Sequence, residues 1–87
     1  MDLQQLRLEI DKIDNELVTL FCQRMEIAAQ IAEYKKENGL PIFVPQREQE
    51  KLADVANKAG TEMASYAQSL YETILTLSRN YQSEVSA

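Results

Sequence analysis

Arg24 stands where a hydrophobe belongs. From Asp2 to Asn38 apolar side chains recur at Leu3, Leu6, Ile10, Ile13, Leu17, Leu20, Ile27, Ile31 and Tyr34, and the heptad Leu3, Ile10, Leu17 meets Arg24 before it resumes at Ile31. A guanidinium on such a seam is costly to bury unless it is paired, so Arg24 needs an acidic neighbour in the fold or an anionic ligand. Lys35 lies three helical turns and about 20° further on, which puts both cations on one face some 16 Å apart. Glu48, with Arg47 beside it, lies one turn before Leu52 on the apolar face of a second helix, and Ser78 and Gln82 continue a face beside the apolar stripe of a third. Cations, neutral donors and one inward carboxylate suit electrostatic work on a small anion. There is no His, and the single Cys22 has no activating neighbour, so it reads as a small core or surface residue rather than a nucleophile. The acidic residues are scattered, not grouped at ligand spacing, which argues against a metal site.

Plainer readings stand beside these. Arg7 at i−4 from Asp11 suits a surface ion pair worth a few tenths of a kcal/mol. Glu48 in a first turn complements the helix dipole with Arg47 in solvent, and Ser78 with Gln82 suits a pair facing water.

The elements that must hold these residues are helices. With two Gly, two Pro and few alternating β-branched runs, the 87-residue chain is predicted to be all-α, one domain over 1–87. The first helix starts at a capping box, Asp2 with Gln5, and ends at Gly39, followed by Leu40-Pro41. Ala28, Ala29 and Ala32 let another helix approach closely. After a connector in which Ile42 and Phe43 tuck over the helix, Pro45 opens a second helix with an apolar face of Leu52, Val55, Ala56 and Ala59, closed by Gly60. Thr61 is predicted to cap a third helix running to about Glu84, with a seam of Met63, Ala67, Leu70, Ile74, Leu77 and Tyr81, and Ser83 to Ala87 are expected to fray.

The first helix is about 55 Å long at 1.5 Å per residue, far more than a compact chain of this size spans. Its apolar seam therefore overhangs the rest of the chain and calls for a cover, most simply a second copy on a two-fold axis. The net charge of −5 argues against nucleic acid or an anionic membrane as partner. No targeting segment or membrane span is visible, and the lone cysteine fits a reducing cytoplasm.

Taken together, Leu6-Arg7-x-x-Ile10-Asp11-x-Ile13-Asp14, Arg24-Met25 with Ile27-Ala28, Tyr34-Lys35, Pro45-x-Arg47-Glu48, then Ser78 and Gln82, resemble the small all-helical class of chorismate mutases. The resemblance runs from Leu3 to Gln82. It implies a homodimer of two interlocked three-helix chains, with the long helices antiparallel and two equivalent sites. The implied reaction is the unimolecular rearrangement of chorismate to prephenate in the shikimate pathway toward phenylalanine and tyrosine, an isomerase activity with no cofactor. The protein has only to hold a dicarboxylate in a compact conformer and stabilise charge growing on the breaking ether bond. By the same resemblance Arg24 and Arg7 of the partner subunit hold the carboxylates, and Lys35 and Gln82 donate to the ether oxygen. Glu48 accepts from the ring hydroxyl, Arg47 and Ser78 complete the polar lining, and Ala28, Ala32, Leu52, Val55 and Ile74 form apolar walls. Some members carry an acid where this chain has Val44, which can close the pocket only by packing. An isochorismate-pyruvate lyase and a non-catalytic helical docking dimer are the competing readings. Glu48 weighs against the first, and polar residues on buried faces against the second. Another aromatic-pathway enzyme is a further possible partner.

Overall fold

The computed structural model describes residues 1–87 as three helices, α1 (Leu3–Glu37), α2 (Pro45–Ala59) and α3 (Ala64–Val85). The Asp2 side chain accepts from the Gln5 backbone N–H at 2.8 Å while the Gln5 amide oxygen accepts from Asp2 N–H at 3.0 Å, so the capping box forms as expected. At the other end of α1, Gly39 adopts φ +65° and the Leu40 N–H reaches back to the Lys35 carbonyl at 2.8 Å. This six-residue closure needs a left-handed residue, which glycine adopts without Cβ strain.

The start of α3 departs from expectation. Thr61 does not cap it; residues 61–63 form a turn in which Met63 N–H donates to the Gly60 carbonyl at 3.2 Å, and the helix begins at Ala64 with Met63 at its cap. Gly60, at φ +83° and ψ 165°, takes a conformation closed to other residues, so the chain turns there and regular helix resumes only after the turn. The far end also differs. Ser83 to Val85 stay helical and Ser86 is half-buried, where fraying was predicted.

Helix α3 packs on α1 along one side and on α2 along another, whereas α1 and α2 do not pack on one another. This arrangement leaves a groove between α1 and α2 with α3 as its floor. Only the C-terminal half of α1 joins the packing. Ala28 and Ala32 are its buried residues, 4% and 1% exposed, and Phe21, Met25 and Ala29 around them are half-buried. Val55 completes the buried apolar set from α2. The packed face of α3 runs through Ala67, Tyr71, Ile74, Leu75, Ser78 and Gln82, so the predicted seam is rotated: Leu70 and Leu77 are exposed, and Ser78 and Gln82 are buried instead of facing water.

Every residue from Leu3 to Leu20 is exposed. Leu3, Leu6, Ile10, Ile13, Leu17 and Leu20 retain 44–61% of their accessible surface, as a helix overhanging its own chain requires. The overall dimensions, 54 × 26 × 14 Å with a radius of gyration of 15.9 Å, are those of a rod bearing a small packed head. No helix is long and apolar enough to cross a membrane.

Candidate active site

The groove between α1 and α2 deepens into a cavity of about 410 Å³ beside the packed half of α1. Helix α1 contributes Arg24, Ile27, Ala28, Ile31 and Lys35, α2 contributes Arg47, Glu48 and Lys51, and α3 contributes Leu75, Ser78, Arg79 and Gln82, with Ile42 and Val44 of the connector closing one end. Residues far apart in sequence meet because α1 and α2 both pack on α3, along different sides of it. Arg24, Lys35, Arg47, Glu48, Ser78 and Gln82, singled out from the sequence, all line it.

Arg24 is half-buried and has no carboxylate partner. Its guanidinium lies 5.9 Å from the centroid of the Tyr71 ring, a contact that supports the cation without neutralising it. Of the two partners the sequence allowed for, the chain itself supplies no acid, so the guanidinium is left able to take an anion from outside. Lys35 donates to the Ile42 carbonyl at 3.0 Å, which tethers its ammonium to the connector and leaves two of its N–H bonds uncommitted.

Gln82 is 8% exposed. Its amide nitrogen donates to Ser78 Oγ at 3.1 Å, while its Oε1 is buried without a donor. An unpaired buried carbonyl is costly, whereas the second N–H of the amide remains available as a donor in the cavity. Glu48 points inward, as its register predicted, but it is not alone: Arg79 Nη1 donates to both its oxygens at 3.0 and 3.2 Å.

Several expectations need correction. Ala32, Leu52, Val55 and Ile74 do not line the cavity; they lie in the contacts between helices, and Ile27, Ile31, Ile42, Val44 and Leu75 form the apolar wall with Ala28. Arg7 needs no such correction of place: it lies on the exposed half of α1, about 25 Å along the helix from Arg24 and outside its own chain's cavity, as a residue that the resemblance assigns to the partner subunit's site would. It does not form the predicted ion pair with Asp11. Sequence reading missed Arg79 and Lys51. Lys51 is one turn beyond Glu48 on a face already marked as inward, a signal that was present. Arg79 had none, because its partner Glu48 is 31 residues away.

Comparison with known proteins identifies the family. The chorismate mutase type II family matches residues 6–83, nearly the whole chain and every cavity-lining residue. The chain belongs to that family. Among its relatives, the T-protein of Haemophilus influenzae is 40% identical over 84% of this chain and 19% of its own length. The T-protein of Enterobacter agglomerans is 36% identical over 95% of this chain and 22% of its own. A 4-amino-4-deoxychorismate mutase of Streptomyces venezuelae is 32% identical over 86% of this chain and 75% of its own. The chain thus spans about a fifth of the length of the two T-proteins. No solved structure matches it significantly.

Proposed function

We propose that this chain is a chorismate mutase that rearranges chorismate to prephenate as a homodimer, on the path to phenylalanine and tyrosine. The observation that carries the reading is Arg24, half-buried without an acid, in a cavity whose lining holds the cations Arg24, Lys35, Arg47, Lys51 and Arg79 against the single acid Glu48. That lining suits a dianion. Arg24 grips one carboxylate through its planar fork. Lys35 and the Gln82 amide donate to the ether oxygen, where negative charge grows as the bond breaks, and Ser78 fixes the amide. Glu48 accepts from the ring hydroxyl, and Arg47 borders the polar side. Such a site needs no proton transfer and no cofactor: it holds the compact conformer and meets developing charge with fixed donors.

Arg7 enters through the second copy. If two α1 helices cross antiparallel near Leu17 or Val18, Arg7 of the partner subunit comes level with the midpoint between Arg24 and Lys35. The same crossing covers the exposed apolar face of α1, and burying each large side chain there contributes roughly 1.5–3 kcal/mol. Residues 1–87 then form one mutase domain, acting in the cytoplasm with neither nucleic acid nor membrane as partner. A relative named bifunctional chorismate mutase/prephenate dehydratase, of Aquifex aeolicus, supports another enzyme of the pathway as an additional partner. A second reading is favoured by the Streptomyces venezuelae relative: a substrate with an amine in place of the ring hydroxyl. Ultraviolet assay of chorismate loss tests the proposal. Turnover yielding prephenate is expected, and its absence from a folded dimer overturns it.

A further inference from the structure

Arg79 differs from every other cation in the cavity. Its Nη1 donates to both Glu48 oxygens at 3.0 and 3.2 Å, its Nη2 to Thr76 Oγ1 at 3.4 Å, and its guanidinium lies 4.4 Å from the centroid of the Phe43 ring. It is thus fixed by an α2 carboxylate, by a hydroxyl on its own helix and by an aromatic ring of the connector. Arg24 has only the Tyr71 ring, at 5.9 Å, and no carboxylate or hydroxyl on its guanidinium, so it is free for a ligand carboxylate; Arg79 is already engaged. The Glu48 and Arg79 side chains are 20% and 30% exposed, so solvent screens the pair less than a surface ion pair.

Glu48 is the only acid of the lining and hence the only place where a positively charged ligand group would be favoured. Arg79 cancels that charge without using up the acceptors. One nitrogen shared between two oxygens leaves each oxygen a further lone pair, and a neutral hydroxyl needs only an acceptor. A ring ammonium also needs net negative charge, and here it meets the Arg79 guanidinium beside the carboxylate in the lining of the same cavity. Resting on the mutase reading above, we infer that Arg79 determines specificity, neutralising Glu48 so that the site takes a substrate with a ring hydroxyl and rejects the analogue with a ring ammonium. Arg79 acts through Glu48 and is a positioning residue in this sense.

The test measures kcat/KM for chorismate and for its 4-amino-4-deoxy analogue with the wild-type chain, Arg79→Met, Arg79→Gln and Arg79→Lys. The wild type should prefer the hydroxyl substrate. Both neutral variants should raise the amine-to-hydroxyl ratio roughly 10- to 100-fold, mainly through KM for the amine, because a like charge has been removed. Arg79→Gln keeps a donor for Glu48, and Arg79→Lys keeps the charge and should retain the wild-type ratio. Equal losses on both substrates overturn the inference, since a merely structural contact would produce them. So does a ratio that moves as far in Arg79→Lys as in the neutral variants, or a wild type that prefers the amine. Neutral variants without helical circular dichroism also overturn it, because the charge then serves the fold. A wild type inactive on both substrates sinks the mutase reading along with it; turnover of chorismate with an unmoved ratio sinks this inference alone.

Discussion

The two halves of α1 carry the same apolar periodicity and meet different fates. From Phe21 to Lys35 the helix rests on α3 through Ala28 and Ala32, and its flanking polar residues Arg24 and Lys35 face a cavity. From Leu3 to Leu20 larger side chains, Leu and Ile, repeat at the same spacing and remain exposed. Small residues bring two backbones of one chain together, whereas large ones at equal spacing form a surface for another molecule. Period alone does not distinguish inside from outside.

The strongest way to break this contrast is to charge the exposed half. Leu17→Asp should place unpaired carboxylates at the proposed crossing and abolish the dimer, and with it the folded state and activity, as measured by sedimentation and circular dichroism. The wild type should melt at a higher temperature as its concentration rises, because dissociation and unfolding are coupled. A folded, active monomer at micromolar concentration would refute the division of labour between the halves.

A sharper test asks whether the halves cooperate across subunits. Arg7→Ala and Lys35→Ala should each lose roughly 2–5 kcal/mol of transition-state stabilisation. Mixed and allowed to exchange chains, the two inactive variants should regain activity, since each heterodimer has one site carrying both changes and one site carrying neither. Exchange without recovery would remove Arg7 from the shared site.

Gln82 tests the packed half from the α3 side. Gln82→Glu donates only when protonated; the reference carboxyl pKa is about 4.3, and burial beside a dianion raises it. Activity should persist in mild acid and fall roughly tenfold per pH unit above the variant's pKa, as the ionised form faces growing negative charge. A flat profile from pH 5 to 8 would show that the amide does not serve the ether oxygen.

Packing itself is the next lever. Ala32→Leu should destabilise the chain by about 1–3 kcal/mol in urea melts by forcing α1 off α3, whereas Leu20→Ala should matter only through dimerisation. The smallest effect belongs to Asp54, half-exposed on α2, whose hydrogen bond to Lys58 is the largest cause of a lowered carboxyl pKa, with Lys51 adding to it. Its folded pKa lies below the unfolded value, so the stabilisation is present above the unfolded pKa and is lost as pH falls through the folded one. Asp54→Asn should change the melting temperature slightly, at low salt only.

Helix count, both ends of α1, the start and end of α2 and most of the site were legible in the sequence because local signals set them. The Asp2 and Gln5 cap, Gly39 and Pro45 act within a few residues, and Glu48 shares its register with Leu52. Arg24 was legible for the opposite reason, as a residue that violates the pattern around it. What was lost depended on contacts between distant segments. Thr61 had the chemistry of a cap, but Gly60 turned the chain in a way that left Thr61 in the turn. The rotation of the α3 seam toward Ser78 and Gln82 follows from where α1 and α2 lie, which periodicity does not specify. Arg79 looked like any surface arginine until α2 was placed beside it.

The hydrogen bond from Lys35 to the Ile42 carbonyl has a bearing on how this protein can be dissected. The acceptor is main chain, so replacing the Ile42 side chain leaves it in place, and a scan of side chains would not report this contact. Yet it is this oxygen that restrains the swing of the ammonium before a ligand arrives. Only changes to the path of the backbone, such as a glycine inserted between Gly39 and Val44, would unmoor the charge while leaving every functional group in the cavity intact.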